Sequence, residues 1–136
     1  MQAQPYLFFE GRAEEATEFY RRTVGAEVTT LMRWKDMPDL SDDPGIPADR
    51  NKVMHMSFRI GDTTVLASDG GGMGGGKFQG FALALTVAND AEAERVFAAL
   101  AEGGRVQAPL TKTFFSSRFG ILADRFGVNW MIVVAS

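Results

Sequence analysis

Residues 53–60 read VMHMSFRI, in which Met54, Met56, Phe58 and Ile60 alternate with His55, Ser57 and Arg59. Successive side chains of a strand point to opposite faces, so the apolar set predicts a face packed on a helix and the polar set an open face. FALALTV (81–87) alternates in the same way, with Phe81, Leu83, Leu85 and Val87 against the small Ala82, Ala84 and Thr86. Two stretches switch to the helical period. Over about 13–24, Ala13, Ala16, Phe19, Tyr20 and Val24 form one stripe that Gly25 ends. Further on, Ala93, Val96, Phe97 and Leu100 fall at i, i+3, i+4 and i+7 behind Asn89 and Glu92, the spacing of a capping box, and Gly103-Gly104 closes the helix.

The remaining strands are short. YLFFE (6–10), EVTTLMRW (27–34) and TTVLASD (63–69) accompany VMHMSFRI, with a tight turn at Gly61-Asp62. RVQAPL (105–110), FGILADR (119–125) and VNWMIVV (128–134) accompany FALALTV, with a turn at Phe126-Gly127. Residues 9–28 lie over 87–106 at a constant offset of 78, which sets Ala13 on Ala91, Phe19 on Phe97 and Gly25 on Gly103. Residues 58–68 lie over 124–134 at an offset of 66, with Gly61 on Gly127. The chain therefore reads as an α+β fold in which one βαβββ module occurs twice. Module one spans about 1–69, a glycine-rich linker 70–77 and module two about 78–136, together one domain.

The linker, GGGMGGGK, matches two phosphate-binding patterns, and its context excludes both. Phe78 follows Lys77 where a P-loop needs Ser or Thr for magnesium, and a strand follows where either motif needs a helix N-terminus. Its expected role is to let the last strand of module one cross to the first strand of module two.

Composition narrows the classes further. A chain of 136 residues suits one domain that needs no staple, and without cysteine it has no disulfide, thiol nucleophile or thiolate metal site. The formal charge of −3, with both signs interleaved, argues against a nucleic-acid surface. MQAQPYLFFEGRAEEA lacks a basic start and a long apolar core, and no later stretch is long enough to span a bilayer. A cytoplasmic location without membrane partners is expected. The loop 37–51 carries four aspartates and three prolines, but it lacks the ligand order of a calcium-binding loop and reads as a solvated surface loop.

PYLFFEGRAEEATEFYRRTVGAEV, MHMSFRIGDTTVLASD and the long segment from Ala91 to Val133 carry a family resemblance across most of the chain. The specific part is L-x-x-T-F plus an aromatic, followed by F-G-x-x-x-D-x-F-G-V-x-W-M, with Phe115 where tryptophan is common. The chain resembles the PhnB-like group of the vicinal oxygen chelate superfamily, the glyoxalase/bleomycin resistance-like fold with curved mixed sheets. Members of the group are often labelled demethylubiquinone methyltransferases. A methyltransferase of the usual kind needs a nucleotide crevice behind a strand, a glycine turn and a helix, and none is expected here.

The resemblance also implies a divalent metal held by His, Glu or Gln, with one ligand from the first and one from the last strand of each module. The first-strand places fall near Gln4 and Ala82, with Pro5 or Tyr6 reached by a one-residue gap, and the last-strand places at Val65 and Met131. Of the four, only Gln4 could ligate, so no metal and no other cofactor is expected. The function expected is binding of a small, partly aromatic or anionic molecule in the concave sheet. His55 is the candidate catalytic residue, as the one side chain that ordinarily titrates near neutrality. The ligand-binding candidates are Tyr6, His55, Ser57, Arg59, Asp69, Lys112, Phe114, Phe115 and Met131. Two alternatives are a metal-dependent lyase, isomerase or dioxygenase, and an interaction module without catalysis. Exposed strand edges, and the habit of relatives, make a homodimer the expected assembly.

Overall fold

A computed structural model describes residues 1–37, 49–70 and 77–135. Most of the aspartate-rich loop and most of the glycine strap lie outside the described residues. The chain divides into two units, Met1–Gly76 and Lys77–Ser136. In the first, β1 (Tyr6–Phe8), α1 (Ala13–Val24), β2 (Glu27–Arg33), β3 (Val53–Ile60) and β4 (Thr63–Ser68) form a sheet of order β1-β4-β3-β2. In the second, β5 (Leu83–Val87), α2 (Asp90–Ala101), β6 (Arg105–Thr111), β7 (Phe119–Ala123) and β8 (Asn129–Val134) give the order β5-β8-β7-β6. The first strand of each sheet runs parallel to the last, and the other pairs are antiparallel. The repeated βαβββ order and the α+β class are as the hydrophobic pattern predicts.

Each helix covers one face of its sheet. α1 buries Ala13, Ala16, Thr17, Phe19, Tyr20 and Thr23. The two threonines fit because their hydroxyls donate to the carbonyls of Ala13 and Phe19 one turn back, at 2.6 and 2.8 Å, so neither hydroxyl enters the core unpaired. Val24, expected in the stripe, is only half-buried. Gly25 ends α1 in the left-handed region, at φ 71°. In α2 the predicted Ala93, Val96, Phe97 and Leu100 are the buried set. Asn89 caps the helix by accepting the Glu92 amide at 2.8 Å, while the Glu92 carboxylate accepts from Ala88 rather than from Asn89 itself.

Two glycines are fixed by close packing. A Cβ on Gly104 would lie 2.2 Å from the Ala123 carbonyl oxygen, and one on Gly120 would lie 2.6 Å from the Phe97 ring.

The repeat alignment needs one correction. Buried Phe58 pairs with buried Val65, as buried Leu122 pairs with buried Trp130. Val65 therefore corresponds to Trp130 and not to Met131. A two-residue turn, Gly61-Asp62, joins β3 to β4, whereas β7 and β8 are joined by 124–128, where Asp124 accepts the amides of Phe126 and Val128 at 2.8 and 3.1 Å. Aligning the turn glycines thus moves β4 by one position, and one position inverts a strand's faces.

Candidate functional site

The open face of the first sheet collects its polar and aromatic side chains in one place. In β3, Met56 and Phe58 turn to the helix side, where Met56 Sδ accepts the Thr17 hydroxyl and Phe58 meets the Tyr20 ring at 5.9 Å. His55 and Ser57 therefore point the other way. In β1, Leu7 is fully buried, so Tyr6 and Phe8 share the open face with them. Parallel pairing sets Tyr6 beside Leu66 and Phe8 beside Ser68, and on the other flank Met32 of β2 stands opposite His55.

Within this group the Tyr6 hydroxyl lies 3.2 Å from His55 Nδ1. The Tyr6 ring centroid is 5.7 Å from that of His55 and 4.8 Å from that of Phe8. Phe8 is 38 % exposed and Met32 39 %, so apolar surface remains in reach of solvent beside the polar pair. Ser57 is tied down: the Thr29 hydroxyl donates to the Ser57 carbonyl at 3.2 Å and lies 2.7 Å from the Ser57 hydroxyl, from which it accepts.

The other candidates of this unit lie elsewhere or are engaged. Arg59 Nη2 is 3.1 Å from the Glu27 carboxylate, so its charge is matched across the strand pair. Asp69 does not join His55. Its carboxylate accepts the backbone amides of Ala13 and Val53 at 2.8 and 2.7 Å, which commits both oxygens to anchoring α1 and β3. Beyond this face, Arg33 hydrogen-bonds Glu14 and holds that carboxyl below the usual carboxylate range.

The second unit holds Lys112, Phe114, Phe115 and Met131. Met131 lies on the open face of its sheet, opposite Ala84 and Ile121. Lys112 is exposed just past β6. Thr113 accepts the amides of Phe115 and Ser116 at its hydroxyl, at 3.3 and 3.1 Å, and this turn presents a fully exposed Phe114. Phe115 lies edge-on to Phe114 and Phe119, at 5.2 and 5.1 Å. Arg118 is drawn to α2 by Asp90 and Glu94, at 3.6 and 3.4 Å.

The described residues do not fit a divalent metal. The pairs facing out across the first and last strands are Tyr6 with Leu66, Phe8 with Ser68, Ala84 with Met131 and Thr86 with Val133, which offer hydroxyl oxygens but no imidazole and no carboxylate. Among the described residues, no three of His, Asp and Glu converge on a point. Sequence reasoning missed Phe8, Thr29, Met32 and Leu66. Alternation carried two residues beyond Tyr6 finds Phe8. Thr29 sits at a bulge between Val28 and Thr30 that no sequence period reveals.

Comparison with known proteins decides the family. The profile of the family described as 3-demethylubiquinone-9 3-methyltransferase matches residues 1–133. The chain belongs to this family. It is 38 % identical to protein PA1353 from Pseudomonas aeruginosa, with a TM-score of 0.86 over 99 % of this chain and 98 % of that one. Protein YjdN of Escherichia coli (strain K12) is 32 % identical over 140 residues, covering 98 % of this chain and 95 % of the relative. A putative 3-demethylubiquinone-9 3-methyltransferase, PhnB protein, from Bacillus cereus is 28 % identical, with a TM-score of 0.81 over 99 % of this chain and all of its own. More distant fosfomycin resistance and glyoxalase-related proteins share the fold, which is that of the vicinal oxygen chelate superfamily.

The family's name describes a methyl transfer that needs a nucleotide cofactor, and one feature bears on it. A strand, a glycine turn and a helix do follow one another at β1, Glu10-Gly11 and α1, contrary to the sequence-based expectation, with Gly11 at φ 92°. A helix N-terminus of this kind can receive a phosphate. In this family member the Ala13 amide is already taken by Asp69, and that carboxylate would repel a phosphate.

Proposed function

We propose that this family member binds a small, ring-bearing molecule on the open face of its first sheet, at Tyr6, His55 and Ser57, without a resident catalytic metal. The observation that carries the proposal is the Tyr6–His55 hydrogen bond, made beside the part-exposed Phe8 and Met32. A hydrogen-bonding pair rimmed by apolar and aromatic surface is the usual make-up of a small-molecule site. The mismatch between the outward-facing pairs and any metal-ligand set supports the metal-free part. Elemental analysis after equilibration with zinc, nickel, manganese or iron and then desalting tests that part. Far less than one metal per chain is expected, and close to one per chain would favour a metal-dependent lyase, isomerase or dioxygenase instead.

A second role, association as a homodimer, is supported by Phe114. A hydrogen-bonded turn holds this ring entirely in solvent, with Phe115 beside it, and aromatic side chains are enriched at interfaces. Sedimentation analysis should show a dimer that Phe114→Ser weakens. A monomer at high concentration would remove this role.

A further inference from the structure

We infer that the ligand of the Tyr6–His55 face is a neutral aromatic ring bearing a hydroxyl group. The inference rests on the proposed function above and narrows its chemical class.

A neutral tyrosine and a neutral histidine hold two mobile protons among three positions, the Tyr6 oxygen and the two ring nitrogens of His55. With 3.2 Å between Tyr6 Oη and Nδ1, one proton lies in that bond. If Tyr6 donates it, His55 Nε2–H is left as an outward donor and the Tyr6 oxygen as an outward acceptor. If Nδ1–H donates it, the Tyr6 O–H becomes the outward donor and bare Nε2 the outward acceptor. Both arrangements offer a ligand one donor and one acceptor, with the two ends exchanged. A hydroxyl is itself donor and acceptor, so it suits either end in either state. A carboxylate only accepts, and it would leave the acceptor end facing another acceptor.

The cation of this face, Arg59, is paired with Glu27, and Asp69 is bound to backbone amides away from the face. Among the described residues of this face, the neighbours of His55, which are Tyr6, Ser57 and Met32, carry no positive charge to compensate a ligand anion. The Phe8 and Tyr6 rings, 4.8 Å apart, and the Met32 thioether opposite His55 make a surface of rings and sulfur, which favours an aromatic ring over a saturated one.

The chain has one histidine, so its imidazole nitrogen and ring-proton signals report this face without ambiguity. The experiment follows them by NMR while phenol, benzoate and cyclohexanol are titrated separately into the intact chain. Phenol should shift the His55 signals saturably, at least tenfold more tightly than either of the others. Tyr6→Phe, which keeps the ring, should weaken phenol roughly tenfold through loss of one hydrogen-bonding end, with the amide spectrum confirming the fold. Benzoate or cyclohexanol binding as tightly as phenol at His55 would overturn the inference and leave the proposed site standing. If none of the three moves His55, while other small molecules do, the class is wrong. If no small molecule moves it, the inference and the proposed function fall together.

Discussion

The Asp69 carboxylate accepts the Ala13 amide at 2.8 Å, so the acidic residue that follows β4 caps the first turn of α1. Its second oxygen accepts the Val53 amide at 2.7 Å, where β3 begins. One side chain thus joins the starts of two elements and the end of a third.

Asp69→Ala should therefore cost about 3 kcal/mol, because two charge-assisted hydrogen bonds of roughly 1.5 kcal/mol each are lost and two amides are left to find water. Asp69→Asn keeps one acceptor and should lose about half as much. Urea unfolding measures both. A change below about 0.5 kcal/mol for the alanine variant, the range of ordinary surface substitutions, would contradict the anchoring role.

In the second unit, Asp124 plays a comparable part at a turn. It accepts the Trp130 indole N–H at 2.9 Å and the amides of Phe126 and Val128. Trp130→Phe removes a buried hydrogen bond to a carboxylate together with part of the largest buried side chain. A loss of about 2–4 kcal/mol is expected in chemical denaturation.

Two glycine-to-alanine changes should differ sharply. At Gly104 the new methyl would overlap the Ala123 carbonyl oxygen and the Asp124 backbone, so β7 would have to move, at a cost of about 3 kcal/mol or more. At Gly61 nothing lies within 4 Å, and alanine would suffer only the left-handed backbone at φ 57°, about 1–2 kcal/mol. Thermal unfolding of the two variants checks the order.

The pairing of Glu14 with Arg33 predicts a modest pH dependence. Its hydrogen bonds to Arg33 hold the folded-state pKa of Glu14 below its unfolded value. The stabilisation is then fully present above the unfolded value, near 4.5, and is lost as pH falls through the folded one. Because Glu14 is largely exposed, the effect should stay below about 1 kcal/mol. The stability difference between the parent chain and Glu14→Gln should be small and positive at pH 7 and should vanish well below pH 4. A difference that grew toward acid would contradict the pairing.

How far the fold could be read in advance follows from which signals are local. Alternation in VMHMSFRI assigned His55 and Ser57 to the open face because β3 pairs on both sides and has a clean period of two. Helix α2 was equally plain, since Asn89 and Glu92 mark its start and Gly103 lies just past its end, at φ 79°. The match of Val65 to Met131 is one position out because it depends on aligning two turns of different length. Asp69 looks like a pocket candidate in the sequence because its partners at Ala13 and Val53 are 56 and 16 residues away. Contacts of that separation leave no periodic trace. The Tyr6–His55 bond spans 49 residues, so the sequence could nominate both residues without revealing that they meet.

Metal-free binding at the Tyr6–His55 face is read out by an NMR titration of the chelator-treated chain with small ring compounds, neutral, anionic and cationic, followed at the His55 ring. At least one class should shift these signals saturably with no metal present, and Tyr6→Phe should weaken the effect. Signals that never move, or that move only after a divalent metal is restored, would contradict it.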